Sequence, residues 1–255
     1  MITRIQVFAV MKLALVCVMA LVLTQAATAE VVIFDNFDRA DGKFSGTATS
    51  DGNGTWHTSD NAVSYQIVGN AAEAMNNNNS NRGAYMSWSA PSDKTYSVSA
   101  TVTRSLNGTS NHSHGIGFVD GSVLDDGCGS TGCAHGLTMA IDIGGNAYFW
   151  ANGFGKLIKH GGMLSDVGLA NDSTDPIELT VEVDPVANIG RGLINGQEIL
   201  NIPWDASADA VTGAGIYNSS TGGASWDNFT ISVVPEPTSL VLLVLGGLLL
   251  AVRRK

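Results

Sequence analysis

The sequence predicts an all-β domain, arranged as a two-sheet antiparallel β-sandwich, on three observations. Apolar and polar residues alternate with the period of two that a half-buried strand requires, as Tyr96, Val98, Ala100 and Val102 do with Ser97, Ser99, Thr101 and Thr103. Clusters of Gly, Asn, Asp and Ser separate such runs, Asp51-Gly52-Asn53-Gly54 among them. Of the 22 acidic residues between 30 and 233, 17 are Asp, a turn and cation-binding residue, and few are the helix-favouring Glu.

The chain opens on an export signal. Residues 1–29 have no acid, carry Arg4 and Lys12, hold an apolar stretch from Leu13 to Leu23, and end in the small-x-small site Ala27-Thr28-Ala29. Translation from Met1 or from Met11 is compatible with this pattern, and the mature chain is expected to begin near Glu30. Residues 30–233 suit one domain with a sizeable core. Alternation recurs at Ala84, Met86 and Trp88, at Leu137, Met139, Ile141 and Ile143, and at Ile177, Leu179, Val181 and Val183. Asn195-Gly196 predicts a tight hairpin turn. The pattern amounts to about twelve to fourteen short strands, a number that suits a sandwich closed like a jelly roll to limit exposed edges. Asn76-Asn77-Asn78-Asn79-Ser80-Asn81 is a polar loop. Between residues 30 and 233 there are 8 basic and 22 acidic residues, a net charge of −14, which disfavours nucleic acid and anionic membrane surfaces.

The C-terminal segment, 234–255, has a different character. Pro235-Glu236-Pro237 ends the globular domain, because proline continues neither strand nor helix. A run of 13 residues from Leu240 to Val252 follows, and the chain stops on Arg253-Arg254-Lys255. As a helix that run would reach about 20 Å, short of the roughly 30 Å hydrocarbon core. The cations hold it with their end in the cytoplasm. The Pro-Glu-Pro triplet, short apolar helix with Gly246-Gly247 and terminal Arg cluster resemble the PEP-CTERM sorting signal. That resemblance implies processing near the triplet by an exosortase membrane protease and delivery to the envelope or exopolysaccharide. The simpler alternative is an ordinary single-pass anchor.

Both ends of the domain carry a second resemblance. Asp35-x-Phe37-x-Arg39-x-x-Gly42 leading to Trp56, with a closing Asp227-Asn228-Phe229, resembles the concanavalin A-like lectin/glucanase jelly roll in its laminin-G-like and sugar-binding branches. It implies that the first and last strands pair side by side, often near a structural calcium. Asp35, Asp38 and Asp41 surround a turn and Asp227 opens the last strand, so calcium held by Asp35 and Asp227 is one expectation. A turn stabilised by Asx hydrogen bonds would use the same residues. Glucanases of this group need carboxylates on one strand face, about 5 Å apart for a retaining reaction. The nearest run, Glu182-Val183-Asp184-Pro185-Val186, lacks its third carboxylate, and Ile141-Asp142-Ile143-Gly144 lacks both glutamates. No catalytic set is complete.

Glycan recognition needs flat aromatic faces beside amides or carboxylates. In Ala147-Tyr148-Phe149-Trp150-Ala151-Asn152, period two puts Tyr148, Trp150 and Asn152 on one face and Phe149 on the other. If Phe149 faces the core, Tyr148 and Trp150 form a stacking platform with Asn152 as a polar hook; in the other orientation Trp150 fills the core. Trp56, Trp88 and Trp226 are expected to be structural. His112-Ser113-His114 is expected to be a solvated loop. The sequence thus predicts an exported, non-enzymatic protein that binds glycan or matrix. Its alternatives are a structural envelope protein whose acids gather divalent cations, and a divergent hydrolase.

Cys128 and Cys133 flank Gly129-Ser130-Thr131-Gly132, with His135 just beyond. An exported chain with two mature cysteines forms one disulfide most simply; a zinc site with His135, His112 and His114 is the alternative. Thiol labelling of the unfolded, unreduced mature protein is expected to find no free thiol. Two labelled thiols per chain, or stoichiometric zinc, would contradict the disulfide.

Overall fold

The computed structural model describes residues 29–58, 65–75, 81–106, 113–120, 136–151, 156–204, 211–219 and 223–234. One sheet runs β14 (Gln197–Pro203), β13 (Ile189–Ile194), β12 (Ile177–Asp184), β7 (Tyr96–Thr103), β16 (Ser225–Val233), β5 (Ala71–Ala74), β4 (Tyr65–Val68) and β2 (Gly42–Lys43), with β1 (Glu30–Asp35) also paired to β16. The other runs β11 (Lys156–Met163), β10 (Asn146–Ala151), β9 (Thr138–Asp142), β8 (Ser113–Asp120), β15 (Val211–Ser219), β6 (Asn81–Ser87) and β3 (His57–Thr58). Pairing is antiparallel along both paths. The domain is a two-sheet antiparallel β-sandwich.

The alternating runs become strands end to end where the alternation is longest, in β7 and β12, whose inward residues are buried and outward ones mostly half-exposed. Sixteen strands are present among the described residues, more than alternation alone suggests, because β2 and β3 have two residues each and show no period. Asn195 (φ 48°) and Gly196 (φ 75°) join β13 to β14. Positive φ at both positions is what a two-residue hairpin turn demands. Among the described residues no helix is long and apolar enough to cross a membrane.

The sheets meet through one continuous core. Trp226 on β16 is fully buried and its Nε1 donates across the sandwich to the Gly115 carbonyl of β8, at 3.1 Å. Phe37, Phe44, Trp56 and Phe229 pack with ring centroids 4.8–5.8 Å apart. Such aromatic pairs each contribute about 0.5–1.5 kcal/mol beyond the area they bury. Trp56 and Trp226 are core residues, and Trp88 packs half-buried against the same core, beside Tyr96 and Phe118.

His114 departs from the solvated loop expected of it. It lies on β8, in the inward row with Ile116 and Phe118, and is 1% exposed. Its Nδ1 is 2.7 Å from Asn218 Oδ1 and its Nε2 is 3.1 Å from the Ser105 carbonyl. Two ring-nitrogen partners make burial of this polar ring tolerable. His112 and His135 lie outside the described residues.

Candidate functional site

The orientation of β10 decides the aromatic question. Phe149 and Ala147 are fully buried, while Tyr148 and Trp150 are half-exposed on the outer face. The reason lies across the sandwich, on β13. A Cβ at Gly192 would stand 3.0 Å from Phe149 Cζ and 2.8 Å from Met139 Sδ, so the glycine leaves the space that the Phe149 ring uses. Phe149 faces the core, and period two sends Tyr148 and Trp150 outward. Their ring centroids are 6.3 Å apart at 48°. They pair with Ala140 and Thr138 of β9, small residues on the same face that are themselves buried. Asn152 lies outside the described residues.

Tyr148 is held by groups that the pattern of the sequence did not single out for this role. Its hydroxyl donates to Asp142 Oδ2. Asp142 Oδ1 also accepts from the Asn146 backbone N–H at 2.8 Å, and Asn146 Nδ2 donates to Oδ2 at 2.9 Å. Burial, reinforced by the Asp142 hydrogen bond and charge, pushes the Tyr148 hydroxyl up to about 12, so it stays a neutral donor. Behind Asp142 sits Arg104, 3% exposed, whose Nη1 donates to the Asp142 carbonyl at 2.7 Å and whose Nη2 donates to the Asn171 and Ser173 carbonyls at 2.7 Å. Burial lowers the Arg104 pKa, against the fields of Asp142 and Asp172. The guanidinium thus ties the β9–β10 turn to the segment at 171–173, and Asp142 orients an aromatic ring.

The other carboxylates considered for hydrolysis are also engaged. Glu182 accepts from Arg191 Nη1, and Asp184 Oδ1 accepts from the Val186 and Ala187 backbone at 3.1 and 2.8 Å.

The expectation of calcium between Asp35 and Asp227 meets a different arrangement. Asp35 is fully buried. Its Oδ1 accepts from Phe37 N (2.9 Å), Arg39 Nη1 (2.8 Å) and Ser50 Oγ (2.8 Å). Its Oδ2 accepts from Arg39 Nη2 (2.9 Å) and Trp56 Nε1 (2.7 Å). A carboxylate offers about four lone-pair sites, so five donors leave none for a cation. A bidentate Arg already supplies the positive charge. Asp227, half-buried on β16, is pushed up by burial, and the negative charge of Asp35 acts in the same direction. The two carboxylates therefore feel each other, but the residues present do not fit a calcium ion at Asp35. Among the described residues no three His, Cys, Asp or Glu gather to hold a metal. Asp41 serves a turn instead, accepting from Gly69 N at 2.9 Å.

The Cys128–Cys133 loop and the tail residues Pro235, Glu236, Pro237, Arg253 and Arg254 lie outside the described residues. Residues 233–255 match the family model of the PEP-CTERM protein-sorting motif. The chain carries a PEP-CTERM sorting motif. No curated protein matches the chain in sequence. Among solved structures it is similar to the carbohydrate recognition domain of Emp47p, at 11% identity and a TM-score of 0.51, covering 83% of this chain and 98% of that one. It is also similar to the metal-free carbohydrate recognition domain of Emp46p, at 10% identity and a TM-score of 0.51, covering 69% and 87%. A carbohydrate-binding module, CBM66 of Bacillus subtilis, matches at 12% identity and a TM-score of 0.49, covering 69% and 94%. At these identities the likeness is one of fold.

Calcium and magnesium at matched ionic strength are expected to shift the thermal midpoint equally, through screening of a net negative domain. Asp227→Ala should leave both shifts unchanged. A climb specific to calcium and lost in Asp227→Ala would restore the clamp.

Proposed function

We propose that this chain is an exported, non-catalytic glycan-binding protein, passed by an exosortase to the cell envelope or its exopolysaccharide. The observation that carries the reading is the outward pair Tyr148 and Trp150, with the Tyr148 hydroxyl locked on Asp142. Flat apolar rings beside fixed polar groups suit the alternating CH and OH faces of a pyranose. Preorganisation by Arg104 and Asp142 lowers the entropy that binding must offset. The likeness in fold to the carbohydrate recognition domains of Emp46p and Emp47p supports the same class of ligand. The sorting motif supports the route: cleavage near Pro235-Glu236-Pro237 after brief anchoring in the inner membrane by the segment from Leu240 to Val252. In this reading residues 1–29 are removed on export and residues 30–233 are the delivered domain.

The alternative of an acidic surface that gathers divalent cations draws less support. Glu182 and Glu198 are both paired with Arg191 on the outer face of the larger sheet.

Affinity electrophoresis through neutral and acidic exopolysaccharides is expected to retard the chain. Trp150→Ala should weaken that binding about tenfold or more, near 1.4 kcal/mol, and Tyr148→Phe should weaken it less. Equal retardation of wild type and Trp150→Ala would remove the platform from the account.

Replacing Pro235-Glu236-Pro237 by three alanines is expected to leave uncleaved protein in the membrane fraction. Normal release, shown by mass spectrometry of the C-terminus, would contradict exosortase processing.

A further inference from the structure

The smaller sheet has a second outward patch at its opposite flank. There β3 pairs with β6 through His57 and Tyr85, five strand positions from β10, which is about 24 Å at the usual strand spacing. His57 is exposed and its ring lies nearly parallel to Tyr85, with centroids 5.9 Å apart at 26°. Beside them Gly52, Asn53, Gly54, Thr55, His57 and Ser87 line an open cavity of about 240 Å³.

The turn that forms this cavity is held from below. Asp51 Oδ1 accepts from Thr49 Oγ1 at 2.7 Å and Asn53 N at 2.9 Å, and Oδ2 accepts from Phe34 N at 2.7 Å. Burial raises the Asp51 pKa, but these hydrogen bonds outweigh it and hold the carboxyl below its usual range. Gly54 N donates to Thr49 Oγ1 at 2.9 Å. A Cβ at Gly54 would stand 3.0 Å from Met86 Sδ, so the wall there lies directly on the core. At Gly52, by contrast, φ is +76° and nothing lies within 4 Å of a Cβ position. The wall is rigid on its inner side and open on its outer side.

We infer that this cavity is a second subsite, holding one neutral hexopyranose unit. The inference rests on the glycan-binding reading and adds a site to it. The imidazole of His57, backed by Tyr85, supplies a flat face, while Thr55 and Ser87 supply hydroxyls and Asn53 an amide. The ionised Asp51 beneath the turn disfavours a phosphate or uronate, and among the described residues no Lys or Arg lines the cavity. The volume lies below the roughly 300–1,000 Å³ of sites for drug-sized ligands, which fits one ring and not an oligosaccharide. A polysaccharide engaging both flanks would gain affinity from the second contact through effective concentration.

The test uses the full chain in mild detergent with ¹³C-labelled histidine, titrated in turn with glucose, galactose, mannose and N-acetylglucosamine. At least one sugar is expected to shift the His57 ring resonances saturably. Ser87→Phe, at an exposed position, should abolish that shift, and Trp150→Ala should leave it intact. His57→Ala should weaken polysaccharide retardation about tenfold. Absence of any His57 shift overturns the subsite, as does a shift that survives Ser87→Phe. Trp150-dependent binding without a His57 shift overturns the subsite and leaves the proposed function standing. A His57 shift beside polysaccharide retardation that Trp150→Ala leaves unchanged keeps the subsite and removes the platform. Binding at neither place sinks both.

Discussion

The buried carboxylate of Asp35 fastens the start of the domain to its core, and the closure of the sandwich depends on it. A carboxylate removed from water carries a large desolvation cost unless its lone pairs are met. Here they are met by a bidentate Arg39, the indole N–H of Trp56, the Ser50 hydroxyl and the Phe37 amide. Accepting the Phe37 amide holds that residue at φ 53°, an unusual conformation for a bulky side chain. The reward is packing. Phe37 then meets Phe44 and Trp56, and Trp56 meets Phe229 on the last strand edge-on at 4.9 Å. One anion thus organises both ends of the domain, and a cation supplied by the protein stands where a metal ion was expected.

The same logic of paired burial positions the candidate site. Phe149 goes inward because Gly192 leaves room for it, and Tyr148 and Trp150 consequently face outward. Arg104 fixes the turn that carries Asp142, and Asp142 fixes Tyr148. The platform is therefore supported through two successive hydrogen-bonded layers, which is how a binding surface avoids the entropic cost of ordering itself on contact.

Much of this was legible in the sequence because it is local. The spacing of Asp35, Phe37, Arg39 and Gly42, and the closing Asp227-Asn228-Phe229, mark the two ends that the aromatic cluster joins. Strict alternation marked β7 and β12, and Asn195-Gly196 marked its hairpin. The side of β10 that would face inward was not legible, because Gly192 decides it and lies far from β10 in the chain. The role of Asp35 was open because one carboxylate serves calcium or arginine equally well. The available signal was Arg39, four residues on, within fork-to-fork reach. The burial of His114 was hidden by its Ser and Asn neighbours, and the His57 cavity by a strand of two residues.

The most direct measurement is the unfolding free energy of Asp35→Asn in a urea titration, with Arg39→Met beside it. Asparagine keeps the shape of the side chain but leaves the Arg39 charge without its partner. The loss expected on breaking such a pair is about 3–5 kcal/mol, and the double variant should cost less than the two single losses added. A stability for Asp35→Asn within about 0.5 kcal/mol of the wild type, the range of an ordinary surface substitution, would contradict the account.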